Sequence, residues 1–183
     1  MRAAQDLKNC VERAVNNFYS KRDDELLNLS VHEQTISHRI AVYLESTLGQ
    51  YHIDCEYNKH GDVFKKLDKK VFGNIVQARF VCKCQRCREW CQKHPEFKDS
   101  PPNEIKIRPD IIVHEERGNA ENGNILAIEI KKTEECLFDQ EKLKCLTMLG
   151  GGYGYTLGVF LRFPNGEPKY KWFINGEVDD ARE

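Results

Sequence analysis

The sequence predicts an α/β fold, a mixed central sheet flanked by helices, with a small cysteine-rich insertion. Three observations lead there. Apolar residues recur at three- and four-residue steps in two segments near the start and in one late segment, which is the helical period. Several shorter segments are apolar or alternating over strand-like lengths, and they fall on both sides of the late helix. Between the early and late elements lies a basic stretch with neither period, holding Cys82, Cys84, Cys87 and Cys91.

The 183 residues suit one domain, 1–183, with the stretch 62–104 inserted in it. Apolar residues are 40% and charged residues 31% of the chain, enough for a core and ordinary for a soluble protein. No run of about 18 apolar residues occurs, so no membrane span is expected. The start, "MRAAQDLKNCVERAVNNF", lacks the apolar centre of a signal peptide, so a cytoplasmic location is expected. The net charge of −1 excludes a global pull on nucleic acid. The charge is uneven, however: from Asp62 to Arg108 there are twelve Lys/Arg against six Asp/Glu, a local +6, which leaves −7 for the rest.

Taken in order, residues 4–20 form a helix with Leu7, Cys10, Val11, Ala14, Val15 and Phe18 on one face. A second helix covers 32–48, with Ile36, Ile40, Tyr43, Leu44 and Leu48 inward, Ser30 as N-cap and Glu33 as its capping-box partner. "YHIDCEYNK" is a strand. Residues 60–104 are irregular and close with the Pro-Pro break of "DSPPNE". Strands follow near 105–114 and 125–132. A helix around 135–149 sends Leu137, Phe138, Leu143 and Leu146 inward and ends at "GGGYG". "YTLGVFLRF" is a central strand, and "KYKWFI" is a last strand at an edge.

The two strands around the turn carry charges in unusual places. Side chains alternate between faces along a strand. Leu126, Ile128 and Ile130 therefore share one face, and Ala127, Glu129 and Lys131 the other. If the hairpin loop is centred between Asn119 and Ala120, Asp110 lies opposite Glu129. Paired strand residues bring their Cβ atoms to about 4.5–5.5 Å, where like charges destabilise a sheet unless something positive lies between them. A divalent cation does this, and two carboxylates with water are typical Mg²⁺ ligands. Lys131 adds an ammonium that could hold a water or stabilise negative charge. A surface hairpin with polar residues on its wet face is the rival reading.

Pro109-Asp110 with Glu129-Ile130-Lys131 resembles the signature of the PD-(D/E)XK nuclease superfamily. "VHEQTISHRIAVYLE" before the first strand is similar to its first motif, and "RPDIIVH", "LAIEIKK", "DQEKLKCLT" and "YGYTLGVFLRF" follow in its order. The resemblance covers about residues 28–165 apart from the insertion. It implies a restriction-endonuclease-like fold in a single nuclease domain. It also implies Mg²⁺ or Mn²⁺ held by Asp110, Glu129 and the Ile130 carbonyl, with Glu33 assisting and Lys131 activating water. The implied activity is metal-assisted hydrolysis of phosphodiester bonds, with DNA favoured over RNA. His32, His38 and His114 receive no role, and His38 is expected to be structural. For Lys142, Lys144 and Tyr153, phosphate contact and a solvated helix face stand as equal alternatives.

"CKCQRCREWCQKH" places four cysteines within ten residues. Zinc takes four S or N ligands tetrahedrally, so Cys82, Cys84, Cys87 and Cys91 are the expected ligands of a structural zinc ion. His94 is a spare, and Cys55 or His60 could supply a ligand from outside. A reduced cysteine loop and an iron–sulfur cluster are the alternatives. A zinc-pinned insertion would present Arg79, Lys83, Arg86 and Arg88 to a nucleic-acid backbone. No target-reading domain is evident, so specificity is expected from a homodimer or a partner protein. Two further function classes stay open: a catalytically silent nuclease fold serving assembly, and a zinc-dependent nucleic-acid-binding module.

Overall fold

The structure is a computed structural model that describes residues 3–56, 75–115, 123–151 and 153–179, together with the backbone of three short strands within 59–68. The hairpin loop centre at Asn119–Ala120, the His60 side chain and most of 62–74 lie outside the described residues.

Helix α1 (Ala4–Ser20) buries the six apolar residues that its period marks. Helix α2 (Glu25–Asn28) is a single turn. Helix α3 (Glu33–Leu48) buries Ile36, Ile40, Leu44 and Leu48. Its N-cap position falls on His32, with no side-chain cap, so Ser30 does not cap it. Strand β1 (His52–Cys55) follows, then β2 (Lys59–His60), β3 (Val63–Phe64) and β4 (Lys66–Asp68).

The insertion is not irregular. It holds α4 (Ile75–Val81), α5 (Gln85–Lys93) and a 3-10 turn at Pro95–Lys98. These helices are short, and their inward positions are partly cysteines, so the apolar period was too brief to read. The strand expected at 105–114 is split into β5 (Glu104–Lys106) and β6 (Ile111–His114). Pro109 lies in the gap, and a proline has no N–H for a ladder. Then come β7 (Asn124–Lys131), α6 (Leu137–Thr147), β8 (Leu157–Arg162), β9 (Lys169–Ile174) and β10 (Glu177–Val178).

The main sheet has the order β1-β6-β7-β8-β9-β10. β7 and β8 pair in parallel and the other neighbours are antiparallel, so the sheet is mixed. A parallel pair needs a crossover, and α6 provides it. The strand at 169–174 is not the outermost, because β10 pairs along part of it. Among the described residues no helix is long and apolar enough to cross a membrane.

Each face of the sheet has its own core. On one face α1 and α3 cover Ile111, Val113, Leu126, Ile128, Ile130 and Leu161. Phe18 fits between Phe163 and Tyr19, with ring centroids 5.8 Å from each. On the other face α6 and the insertion cover Ile112, Ala127, Phe160 and Phe173. The insertion therefore shares a core with the sheet. Leu137, expected to point inward, is 39% exposed.

Candidate functional site

The hairpin register is the one that the strand pattern implies: Ile111 pairs with Ile128, Ile112 with Ala127 and Val113 with Leu126. Continued by one residue, this ladder sets Asp110 beside Glu129. Asp110 sits just before β6, half-buried, and its Oδ2 accepts the Ile130 N–H at 2.7 Å. Glu129 and Lys131 are buried at the end of β7. The N-terminus of α3 reaches the same place. Glu33 Oε2 is 2.7 Å from Lys131 Nζ, and Glu33 Oε1 accepts the Lys132 N–H at 3.3 Å. Glu33 thus grips the end of β7 and its lysine. The Ile130 carbonyl accepts from Lys131 Nζ at 3.1 Å.

Helix α6 adds two charged residues. Asp139 and Lys142 are wholly or almost wholly buried. Lys142 Nζ lies 2.6 Å from Glu129 Oε1 and 3.1 Å from Asp139 Oδ1. Asp139 also meets Lys131 at 3.6 Å and Arg86 at 3.3 Å. The Lys142 ammonium is the close partner of the Glu129 carboxylate, and no other donor meets Glu129 among the described residues.

The carboxyls are driven apart in acidity. Burial pushes Glu129 well above the usual range, against the pull of Lys142, and the charges of Asp110 and Asp139 push the same way. Burial also raises Asp110, with Lys131 and Lys142 opposing. Burial would raise Asp139 too, but Lys142, Arg86 and Lys131 together hold it far below. Burial works against the charge of Lys131 and Lys142, yet their carboxylate partners keep both above the usual lysine value. Such a separation is the electrostatic signature of many working sites, although structural ion-pair networks produce it too.

A cleft of about 390 Å³ opens onto this cluster, between the α3 N-terminus and the insertion. Its wall includes Glu33, Arg79, Arg86, Arg108, Asp110 and Lys142. Arg79 is held between two rings, with its guanidinium 3.5 Å from the Phe138 ring and 4.3 Å from that of Trp90.

Close by, Cys82, Cys84, Cys87 and Cys136 bring their sulfurs within 4.8 Å of one another, all buried. These four cysteines could hold a metal ion such as zinc. Burial pushes the Cys84 thiol up to about 12. Cys136 is raised by its hydrogen bond with Cys87 and by burial. Burial pushes the Cys82 thiol up, but hydrogen bonds with Cys84, the Leu137 backbone and Cys87 together bring it below the ordinary value. A bound cation would deprotonate them outright.

No known family model, curated protein or solved structure matches the chain.

The structure brings Glu33, Asp110, Glu129 and Lys131 into one place, as expected. It separates the expected zinc ligands. Cys91 is not in the cluster; it lies one turn further along α5 than Cys87, and its Sγ donates to the Arg79 carbonyl at 3.5 Å. Cys136 takes its place, from beyond the insertion. His94 is no ligand either and packs between Trp90 and Phe97. Cys55 lies apart and exposed. Of the four basic residues expected at a nucleic-acid surface, Arg79 and Arg86 line the cleft, whereas Lys83 and Arg88 are exposed elsewhere. Lys106 and Arg108 join the cleft instead. His38 is exposed, and His114 is buried in a 2.8 Å contact with Asp54. Lys142 is not on a solvated face, and Asp139 was missed. Both could have been found, since they fall on the same stripe as Leu143 and Leu146.

Proposed function

We propose that the chain is a metal-dependent nuclease with a restriction-endonuclease-like core, hydrolysing phosphodiester bonds of DNA. The observation that carries this reading is the placement of Asp110, Glu129 and Lys131 at one end of the β6–β7 hairpin, behind a cleft walled by Arg79, Arg86 and Arg108. Two carboxylates, one of them met by no donor other than Lys142 among the described residues, are the hard oxygen ligands that Mg²⁺ or Mn²⁺ takes. Asp110, Glu129 and the Ile130 carbonyl would hold the ion. When bound, it would supply Lewis-acid stabilisation and a more acidic water. Lys131 would hold the attacking water by its ammonium, and Glu33 keeps that ammonium in place. The arginines of the cleft suit bidentate contact with phosphate. The ion at the thiol cluster would be zinc in a structural role, because four thiolates close a tetrahedral site to water. A homodimer or a partner protein would supply target choice.

A second reading is favoured by the Lys142–Glu129 pair at 2.6 Å. A lysine that already neutralises the carboxylate suits a catalytically silent nuclease fold used for binding. Incubation of the protein with linear, circular and single-stranded DNA and with RNA, with Mg²⁺, Mn²⁺ or EDTA, separates the two. Metal-dependent cleavage supports the nuclease; binding with no cleavage of any substrate supports the silent fold. Lys131→Ala is expected to slow cleavage by about 10²–10⁴-fold, the usual loss of a proton-handling side chain. Mg²⁺ affinity, followed by calorimetry, should barely change, because an ammonium is no metal ligand.

A further inference from the structure

We infer that a zinc ion held by Cys82, Cys84, Cys87 and Cys136 acts as a clamp, fixing the first turn of α6, and Asp139 with it, against the insertion. The inference rests on the zinc reading above and stands whether or not the chain is a nuclease.

The spacing of the sulfurs suits a single tetrahedral ion. Zn–S bonds of about 2.3 Å set the sulfurs of a regular tetrahedron about 3.8 Å apart. Here Cys82 and Cys84 are 3.3 Å apart, Cys84 and Cys136 3.6 Å, and Cys87 and Cys136 4.0 Å. Disulfide sulfurs would be at about 2.05 Å. An iron–sulfur cluster holds its thiolates farther apart, since several irons and sulfides lie between them.

The position of the fourth ligand turns a zinc loop into a clamp. Cys82, Cys84 and Cys87 belong to the α4–α5 connection and the first turn of α5. Cys136 occupies the N-cap position of α6, 49 residues after Cys87. Neither α5 nor α6 has a side-chain hydrogen bond at its N-cap. Both helix N-termini favour thiolates through their dipoles and the N–H groups of their first turns. A zinc-bound Cys136 thiolate would thus offer the α6 terminus the acceptor that a capping side chain offers elsewhere.

The same two helices are joined a second time, one step toward the cleft. Arg86, next to Cys87, meets Asp139, three residues after Cys136, at 3.3 Å. Asp139 is also the shared partner of Lys131 and Lys142, at 3.6 and 3.1 Å. A shift of the α6 first turn would therefore move the carboxylate that holds both lysines. An α-helix of 11 residues is marginal alone, so its start depends on what anchors it.

Elemental analysis of the full chain, paired with hydrogen exchange across 134–147, tests the clamp. The wild type and Cys91→Ser are each expected to carry about one zinc. In the cobalt-substituted protein, Cys136→Ser should lose about one part in four of the thiolate-to-metal absorption, as one thiolate of a tetrahedral set is removed. Stripping zinc from the reduced wild type with a strong chelator, which is then removed, should speed exchange in the first half of α6. Added zinc should reverse this, and Mg²⁺ should not. This arm needs no variant, so it decides even if Cys136→Ser fails to fold. Absence of zinc, iron in its place, or loss of zinc in Cys91→Ser would overturn the zinc site itself. Zinc present but α6 exchange unchanged on its removal, or full absorption in Cys136→Ser, would overturn the clamp alone.

Discussion

Glu129→Gln is expected to do two opposite things: abolish cleavage, by about 10³-fold or more, and raise the melting temperature of the metal-free protein. The first follows from the loss of a ligand charge. The second follows from the burial of a carboxylate whose one close partner among the described residues is Lys142. Its folded-state pKa is well above the ordinary value of 4.5, so between 4.5 and that raised value the folded state holds a proton that the unfolded state releases. Stability is then lost as pH rises through this window, and the cost is complete above it. Glutamine cannot ionise, so the gain from the variant should be small at low pH and grow toward neutrality. Each kcal/mol corresponds to roughly 2–4 °C in a chain of this size. Thermal melts in EDTA across a pH series measure it. Equal or lower stability of the variant at neutral pH would mean that the Lys142 pair contributes more than burial costs. Asp139 runs the other way: its lowered pKa contributes stability above the ordinary 3.8, and that stability is lost as pH falls.

The largest loss of stability is expected from Lys142→Ala. Lys142 is the close partner of two buried carboxylates, Glu129 and Asp139. Removing one member of a buried ion-pair network leaves uncompensated charge and typically costs about 3–5 kcal/mol. That corresponds to a melting temperature roughly 6–20 °C lower. Lys142→Met keeps most of the volume and isolates the charge. Because Glu129 takes up a proton readily, the loss should be smaller at pH 5 than at pH 8. Urea unfolding at the two values is the measurement; a loss that does not depend on pH would mean that Glu129 never ionises in the folded chain.

Asp110 needs a different substitution from Glu129. Its Oδ2 accepts the Ile130 N–H, so alanine would leave a buried amide without an acceptor. Asp110→Asn keeps an acceptor there and removes only the charge. Like Glu129→Gln, it should lose cleavage, and circular dichroism should report an unchanged fold.

Strand period and local pairing were legible in the sequence. The alternation of Leu126, Ile128 and Ile130 with Ala127, Glu129 and Lys131 set the two faces of β7, and the hairpin pairing followed from its loop. The stripes of α1 and α3 were equally plain, because long amphipathic helices repeat one signal many times. Short helices do not, so α4 and α5 were hidden in the insertion.

What the sequence by itself determined is the α/β order of elements, the core faces of the long helices, and the grouping of Asp110, Glu129 and Lys131 on one strand pair. These depend on neighbours in sequence or on a single hairpin. Only the tertiary structure decided which fourth cysteine joins the cluster and which helix completes the charged site. Cys91 is near in sequence but a full turn further along α5 than Cys87, whereas Cys136 is distant and arrives because α6 packs against α4. Asp139 and Lys142 come with it, since the crossover needed by the parallel β7–β8 pair lays α6 over Glu129. Such contacts depend on how helices pack across a sheet, which no local period records.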